Sequence, residues 1–136
     1  MTGKLLFTRS PKAKGELLND FILHATSRTA WSAAQKSGMY TTDSLAGQGF
    51  IHCSKTSQIL RVANLFYAGQ HGLVLLVIDP ARLASELRWE PGADLPTDLF
   101  PHVYGPINIE AVVKVLDFES DAAGKFHLPD GLSTQS

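Results

Sequence analysis

The chain has 136 residues, with 44% hydrophobic and 18% charged side chains, which is the composition of one globular domain and excludes global disorder. A net charge of −1 excludes binding of bulk nucleic acid through a basic field, but it is compatible with a pocket for one nucleotide. The single cysteine excludes an internal disulfide and a multi-cysteine metal site, and it fits a cytoplasmic location. The longest apolar run, residues 73–78, is far shorter than the roughly 20 residues of a membrane span, so we expect no membrane association.

The two ends of the chain differ in character from the part between them. Residues 1–19 are locally basic and interrupted by Pro11 and Gly15, which predicts a flexible arm. A short added strand at residues 5–7 is the alternative for part of this arm. We expect a single domain over residues 20–130 and a tail over residues 131–136.

The first part of the domain predicts a strand, a helix and a loop. Residues 21–25 are short and apolar, as in a strand. Ser27 is placed to cap a helix over residues 28–37, and Gly38 is placed to end it. Residues 41–49 are rich in Gly, Ser and Thr, which predicts a loop.

The next part predicts a second strand and a second helix. Residues 50–54 (FIHCS) are typical of a strand, and Ser54 is expected to cap a helix that continues to about Tyr67. Four apolar residues at helical spacing should face the core: Ile59, Val62, Ala63 and Phe66.

The second half of the chain predicts mostly strands. Residues 73–78 (LVLLVI) form a continuous apolar run, typical of a central strand buried on both faces. Shorter strands are predicted at residues 87–90, 102–104 and 111–118, with the last one turning through residues 121–125 into a hairpin with residues 126–128. Helices early and strands late favour an α+β fold with a mixed or antiparallel sheet.

Strand alternation sorts the residues of FIHCS into two faces. His52 and Ser54 should share one face with Phe50, while Ile51 and Cys53 share the other. A nucleophilic pair of Cys53 with His52 is therefore geometrically poor, and Cys53 is interpreted as a small core residue. His52 and Ser54 lie where a strand leads into a helix, which favours polar ligands.

Further candidates lie in or beside other predicted strands. His24 and His52 would point into one cleft if their strands pair, and His102 shares a face with Tyr104. A purely structural role stays open for each of these histidines. Glu90 ends a strand beside Trp89, which predicts a partly desolvated and reactive carboxylate, with an ordinary exposed glutamate as the alternative.

The histidines also raise the alternative of a metal-dependent hydrolase that uses His24, His52 and His102. No His-x-x-x-His spacing and no HExxH motif is present, so no metal is expected. The sequence also has no P-loop, no GxGxxG and no GxSxG motif.

Four segments, in order from about residue 21 to residue 118, resemble the small proteins grouped as domain of unknown function 952. They are FILHATSRTAW, the stretch from DSLAGQGFIHCS to LVLLVIDPARL, LRWEPG, and LFPHVYGPINIEAVVKV. GFIHCS and PHVYGP are specific for this family. Its fold resembles that of ADP-ribosyltransferases, which implies a compact split β-sheet with flanking helices, and no activity is established for it.

The resemblance also implies roles for particular residues. HATS is similar to the first-strand motif of RNA 2′-phosphotransferases that touches the NAD ribose; His24, Thr26 and Ser27 match, and Ala25 replaces a glycine. FIHCS is similar to the second motif, so His52 and Ser54 join the set that holds ribose and pyrophosphate. The third motif brings a glutamate to the nicotinamide ribose, for which the candidates here are Glu90, Glu110, or His102 in its place.

Together these observations predict a site for NAD as substrate. Glu90 and His102 are the expected catalytic residues, and Trp89 or Tyr104 is expected to stack on the nicotinamide. The predicted function is an NAD- or ADP-ribose-using enzyme, with a non-catalytic nucleotide-binding or sensing module as the alternative. Protein partners cannot be inferred.

Overall fold

A computed structural model describes residues 21–92 and 97–133 of the chain. The predicted arm over residues 1–19 lies outside the described residues. In chain order the elements are β1 (Ile22–Ser27), α1 (Arg28–Ser37), β2 (Met39–Tyr40), α2 (Asp43–Gln48), β3 (Ile51–His52), α3 (Thr56–Phe66), β4 (Leu73–Ile78), β5 (Glu86–Pro91), β6 (Leu99–Tyr104), β7 (Ile107–Asn108), β8 (Val112–Asp117) and α4 (Asp130–Ser133), with 3-10 turns at Pro80–Arg82 and Ile109–Ala111.

The predicted α+β class is confirmed, and every strand pair within the described residues is antiparallel. One sheet has the order β1-β4-β8, a second has the order β3-β6-β5, and β2 pairs with β7. All residues of β4 are buried, which confirms the central strand predicted from its apolar run. A single backbone bridge between Leu23 and Ser54 joins the first sheet to the segment that follows β3.

The two faces of the first sheet each cover a separate part of the core. On one face α1 and the second sheet pack against the sheet, and the buried residues there include Trp31, Val74 and Val103. On the other face α3 packs through Ile59 and Ala63. β1, at the edge of this sheet, is therefore packed between two hydrophobic layers.

The predicted limits of α1 are confirmed by its caps. The Ser27 hydroxyl accepts a hydrogen bond from the Ala30 N–H at 3.0 Å, which satisfies a free donor in the first turn. At the other end Gly38 has a φ of +92°, a left-handed conformation that favours glycine, and its N–H donates to the Ala34 carbonyl at 2.8 Å.

The predicted cap of α3 is wrong. Ser54 does not cap this helix, because its backbone N–H and C=O exchange hydrogen bonds of 2.8 Å with Leu23. Lys55 takes the cap position instead, and its N–H donates to the Gln58 side-chain oxygen at 2.9 Å. Ile59 and Ala63 face the core as predicted, whereas Phe66 is 59% exposed and does not.

The region predicted to be a loop contains a short helix in the structure. The loop expected over residues 41–49 contains α2, because Thr42 caps it through a 3.3 Å bond from the Leu45 N–H and Gly49 ends it with a φ of +92°. The polar residues that suggested a loop are the caps of a short helix.

The predicted hairpin forms its turn but not its second strand. The turn is closed by the Asp121 N–H, which donates to the Lys125 carbonyl at 2.8 Å. Residues 126–128 are not a strand, since the Phe126 N–H donates to the Asn64 side-chain oxygen at 2.7 Å rather than to β8. The Phe126 ring instead stacks on Phe118 in the core.

Part of the segment predicted to be a tail packs against the core. Leu132 in α4 is 1% exposed and belongs to the core under α3, so the predicted tail boundary at residue 131 falls inside a packed helix. No helix in the described ranges, 21–92 and 97–133, is long and apolar enough to cross a membrane.

We expect Ser27→Ala to lower the free energy of unfolding by about 1 kcal/mol, because the Ala30 N–H loses its acceptor. Ser27→Asp keeps a side-chain acceptor at the same position and should stay close to the wild type. Urea unfolding followed by circular dichroism measures both variants. Equal stability of Ser27→Ala and the wild type would contradict the capping role.

Candidate functional site

A cleft of about 740 Å³ opens where the free edge of β1 faces β3 and α3. One wall is apolar and comes from α3 and the residues after it: Ile59, Val62, Phe66, Tyr67 and Leu73. The other wall carries polar groups from the region of α2, β3 and β6: Thr42, Asp43, Ser44, Gln48, His52 and His102. The cleft thus combines an apolar wall with several hydrogen-bonding groups, as small-molecule sites do.

The free edge of β1 exposes backbone groups to this cleft. Leu23 uses its N–H and C=O to pair with Ser54, and alternation along a strand directs the same groups of Ala25 to the same edge. Neither group of Ala25 has a hydrogen-bond partner within the described residues. The cleft therefore offers one backbone donor and one backbone acceptor beside His24 and Thr26.

His24 is buried and makes a hydrogen bond through each ring nitrogen. Its Nδ1–H donates to the His52 carbonyl at 2.6 Å, so Nε2 is the acceptor and receives the Tyr40 O–H at 2.8 Å. Burial lowers the pKa of His24 to about 4, so the ring is neutral at pH 7. His24 thereby fixes the position of β3 relative to β1.

The His52 side chain is exposed and faces the cleft. Its Nε2–H donates to the Gln48 side-chain oxygen at 2.8 Å. The pKa of His52 is lowered, mainly because its ring is partly removed from water and to a smaller extent because His102 lies nearby. Its ring lies 5.4 Å from the ring of His102 and 4.7 Å from that of Phe50, whereas Ile51 and Cys53 are buried. The alternation predicted for FIHCS holds over β3, where Ile51 is buried and His52 is exposed, but Ser54 is 4% exposed and lines the cleft together with Cys53.

His102 is held by a carboxylate and an aromatic ring. Its Nδ1–H donates to Glu90 Oε1 at 2.8 Å, and the Tyr104 hydroxyl donates to the same oxygen at 2.6 Å. Both hydrogen bonds lower the pKa of Glu90, and the one from Tyr104 has the larger effect. Phe50 stacks on the His102 ring with centroids 4.1 Å apart. Nε2 of His102 has no hydrogen-bond partner in the described part of the chain, although the side chain is only 6% exposed.

The structure brings together most of the predicted site residues, including His102, which was predicted to be catalytic. Those that line the cleft are His24, Thr26, Ser27, His52, Ser54 and His102. Of these, Ser27 uses its hydroxyl to cap α1, and Ser54 is 4% exposed. The expectation that two strands would direct His24 and His52 into one cleft agrees with this geometry.

Three predicted residues lie outside the lining of the cleft. Neither Glu90 nor Tyr104 lines the cleft: Glu90 contacts the lining residue His102, and the Tyr104 ring lies 5.2 Å from that of Phe50. Trp89 is 45% exposed and lies on the opposite face of β5 from Glu90, because neighbouring residues of a strand alternate. Glu110, the other glutamate considered, is exposed and bonds to Asn108 instead.

Sequence reasoning missed several residues of the cleft. Tyr40 contributes an aromatic contact to His24, and Asp43 and Gln48 belong to α2, which the sequence did not predict. The Thr-x-x-Leu cap and Gly49 were the available signal for α2. The partners of Tyr40 depend on contacts distant in sequence, so no local pattern indicates them.

A three-histidine metal site is not formed. Across residues 21–92 and 97–133, no three His, Cys, Asp or Glu side chains lie close enough together to hold a metal ion. His24 uses one ring nitrogen on the His52 carbonyl and the other on Tyr40. Cys53 is buried, which raises the pKa of its thiol and makes it a poor nucleophile.

The fold and the site define an α+β protein with a histidine-lined cleft between two antiparallel sheets. Residues 25–115 match DUF952, described as a protein of unknown function, and the chain belongs to this family. The crystal structure of protein CC0527 from Caulobacter crescentus is similar, with 34% identity and a TM-score of 0.73, over 82% of this chain and 97% of that one. Its solution NMR structure gives 34% identity and a TM-score of 0.71, over 84% and 97%. A search of curated proteins gives no match.

We expect the free energy of unfolding to depend on pH through His24. Its pKa of about 4 in the folded protein lies below the ordinary 6.5, so the unfolded chain binds the proton more readily. The stability is fully present above about pH 6.5 and falls by up to roughly 3 kcal/mol as the pH drops towards 4.

Urea unfolding at pH 7.5, 6, 5 and 4 measures this dependence. His24→Asn keeps a donor for the His52 carbonyl but has no titrating ring, so its stability should change less with pH than that of the wild type. His71→Gln, at an exposed position outside the cleft, is the matched control. Identical pH dependence in the wild type and His24→Asn would show that His24 is not the group responsible.

Proposed function

We propose that the cleft binds NAD or ADP-ribose and that the protein uses NAD as a substrate on a scaffold resembling that of ADP-ribosyltransferases. The observation that carries this proposal is the meeting of two sequence segments, 24–27 and 52–54, on the walls of one cleft. These are the segments whose resemblance implies contact with the NAD ribose. The Leu23–Ser54 bridge holds them next to each other.

The size and lining of the cleft support a dinucleotide of this kind. Its volume of about 740 Å³ is within the range of small-molecule sites. The apolar wall, with Phe66 and Tyr67, suits a planar ring, since aromatic rings favour stacked or edge contacts. The opposite wall offers hydroxyl, amide and imidazole groups to ribose hydroxyls and phosphate oxygens.

The backbone groups at the free edge of β1 are suited to bind the nicotinamide end of the ligand. A carboxamide presents one acceptor oxygen and one N–H₂ donor in a plane. The Ala25 backbone presents the complementary N–H and C=O, and both lack a partner within the described residues. A ligand carboxamide would satisfy both groups while they are removed from water.

A second candidate function is binding without turnover, as in a sensing module. Cleavage of nicotinamide builds positive charge on the ribose, which a nearby carboxylate stabilises. Glu90 does not line the cleft and already accepts two hydrogen bonds, from His102 and Tyr104. Among the described residues, Asp43 is the one acid on the lining, and this favours the second candidate.

Thermal-shift titration with NAD, ADP-ribose, nicotinamide and ATP tests the proposal. A ligand that binds only the folded protein stabilises it by about 2.7 kcal/mol at 100 times its Kd, so NAD or ADP-ribose should raise the Tm by several degrees. His52→Ala should abolish the shift. This variant keeps the His52 carbonyl that anchors His24, so the fold should be retained.

Controls separate a specific site from general stabilisation. His71→Ala removes an exposed histidine outside the cleft and should keep the full shift. No shift with millimolar NAD or ADP-ribose, or an equal shift in His52→Ala, would contradict binding in this cleft. For a protein that binds NAD, release of free nicotinamide measured by chromatography identifies the enzyme, and binding without release identifies the sensing module.

A further inference from the structure

We propose that His102 is a general base in this cleft, that Glu90 positions it, and that the acceptor of the transferred group attacks through a hydroxyl. This inference rests on the proposed use of NAD as a substrate. Its basis is the side-chain cluster of His102, Glu90, Tyr104 and Phe50, which joins the lining of the cleft to groups behind it.

The contact with Glu90 determines which nitrogen of His102 carries the proton. An ionised carboxylate only accepts hydrogen bonds, so the proton of the neutral ring lies on Nδ1, 2.8 Å from Glu90 Oε1. Nε2 then carries a lone pair. Because His102 lines the cleft and Glu90 does not, the ring edge turned away from Glu90 is the one available to a ligand.

The surroundings of His102 hold its ring in one orientation. Phe50 stacks on it at 4.1 Å, and the side chain is 6% exposed. Glu90 is itself fixed by the Tyr104 hydroxyl at 2.6 Å, and the Arg88 guanidinium lies 4.1 Å from the centre of the Tyr104 ring. Such a fixed base needs little reorganisation when a proton is transferred to it.

The chemical step balances without any further reactant. The bond between ribose C1′ and the nicotinamide nitrogen breaks, and its electron pair neutralises the positive ring of the leaving group. The acceptor oxygen forms a new bond to C1′, and its proton moves to Nε2 of His102 and then to water. The products are nicotinamide, the ADP-ribosylated acceptor and one proton.

This chemistry selects the acceptor by class. A neutral hydroxyl or water must lose a proton as it attacks, so it gains from a general base. A carboxylate or a phosphate anion already carries the lone pair and gains nothing from one. The His102–Glu90 pair therefore indicates an alcohol-type acceptor, of which water is the simplest.

The test compares three variants in two assays, NAD binding by calorimetry and nicotinamide release with water, glycerol, acetate or phosphate as acceptor. His102→Asn keeps a donor for Glu90 but has no base at the position of Nε2; release should fall by about 10²- to 10⁴-fold while NAD binding is retained. Glu90→Gln should lower kcat by less and leave the KM for NAD unchanged. Glu110→Gln, at an exposed position outside the lining of the cleft, is the control and should leave both constants unchanged.

The outcomes separate this inference from the proposed function. Absence of NAD binding by the wild type overturns the proposed function and the inference with it. Wild-type binding without release of nicotinamide to any acceptor overturns both the proposed use of NAD as a substrate and the inference, and leaves the sensing module. Release that His102→Asn leaves unchanged, or a preference for acetate or phosphate, overturns the inference alone. Nitrogen-15 NMR of the His102 ring needs no substrate: a proton on Nδ1 in the wild type supports the role of Glu90, and a proton on Nε2 overturns it.

Discussion

The backbone pair between Leu23 and Ser54 is the contact on which the site depends. It is a single two-bond bridge, yet it joins the sheet β1-β4-β8 to the segment that carries β3. Pairing stops after this one step, and the two segments then diverge. Continued pairing would place a strand where the cleft now lies. This interrupted strand pairing accounts for the cleft, for the free edge at Ala25 and for the approach of His24 to His52.

The histidines of the cleft differ because their surroundings differ. His24 is buried with both nitrogens engaged, so its charged form is strongly disfavoured and it acts as a neutral connector. The His52 side chain is exposed and, among the described residues, hydrogen-bonds to the Gln48 amide, whereas His102 is packed and oriented by an ionised carboxylate. One type of side chain therefore gives a fixed support, an exposed contact and an oriented ring within one cleft.

Local sequence patterns predicted the parts of the fold that depend on local physics. The caps of α1, the buried strand β4 and the alternation of Ile51 and His52 follow from hydrogen bonding and periodicity along short stretches. The pairing of Glu90 with His102 depends on the register that sets Arg88 opposite His102 in neighbouring strands, which no short stretch of sequence encodes. Strand alternation alone indicates that Trp89 and Glu90 lie on opposite faces of β5. The expectation that both serve one site did not take this alternation into account.

The hydrogen bond from His24 ends on the main chain of residue 52 and not on its side chain. Every amino acid supplies that carbonyl, so this hydrogen bond places no demand on the identity of the side chain there. The side chain itself projects into the cleft and is exposed. Position 52 is thus a site where selection, or a protein engineer, can exchange the chemistry presented to a ligand while the framework that holds it stays intact. Evolvability of this kind arises where structural support and chemical function are divided between the backbone and the side chain of one residue.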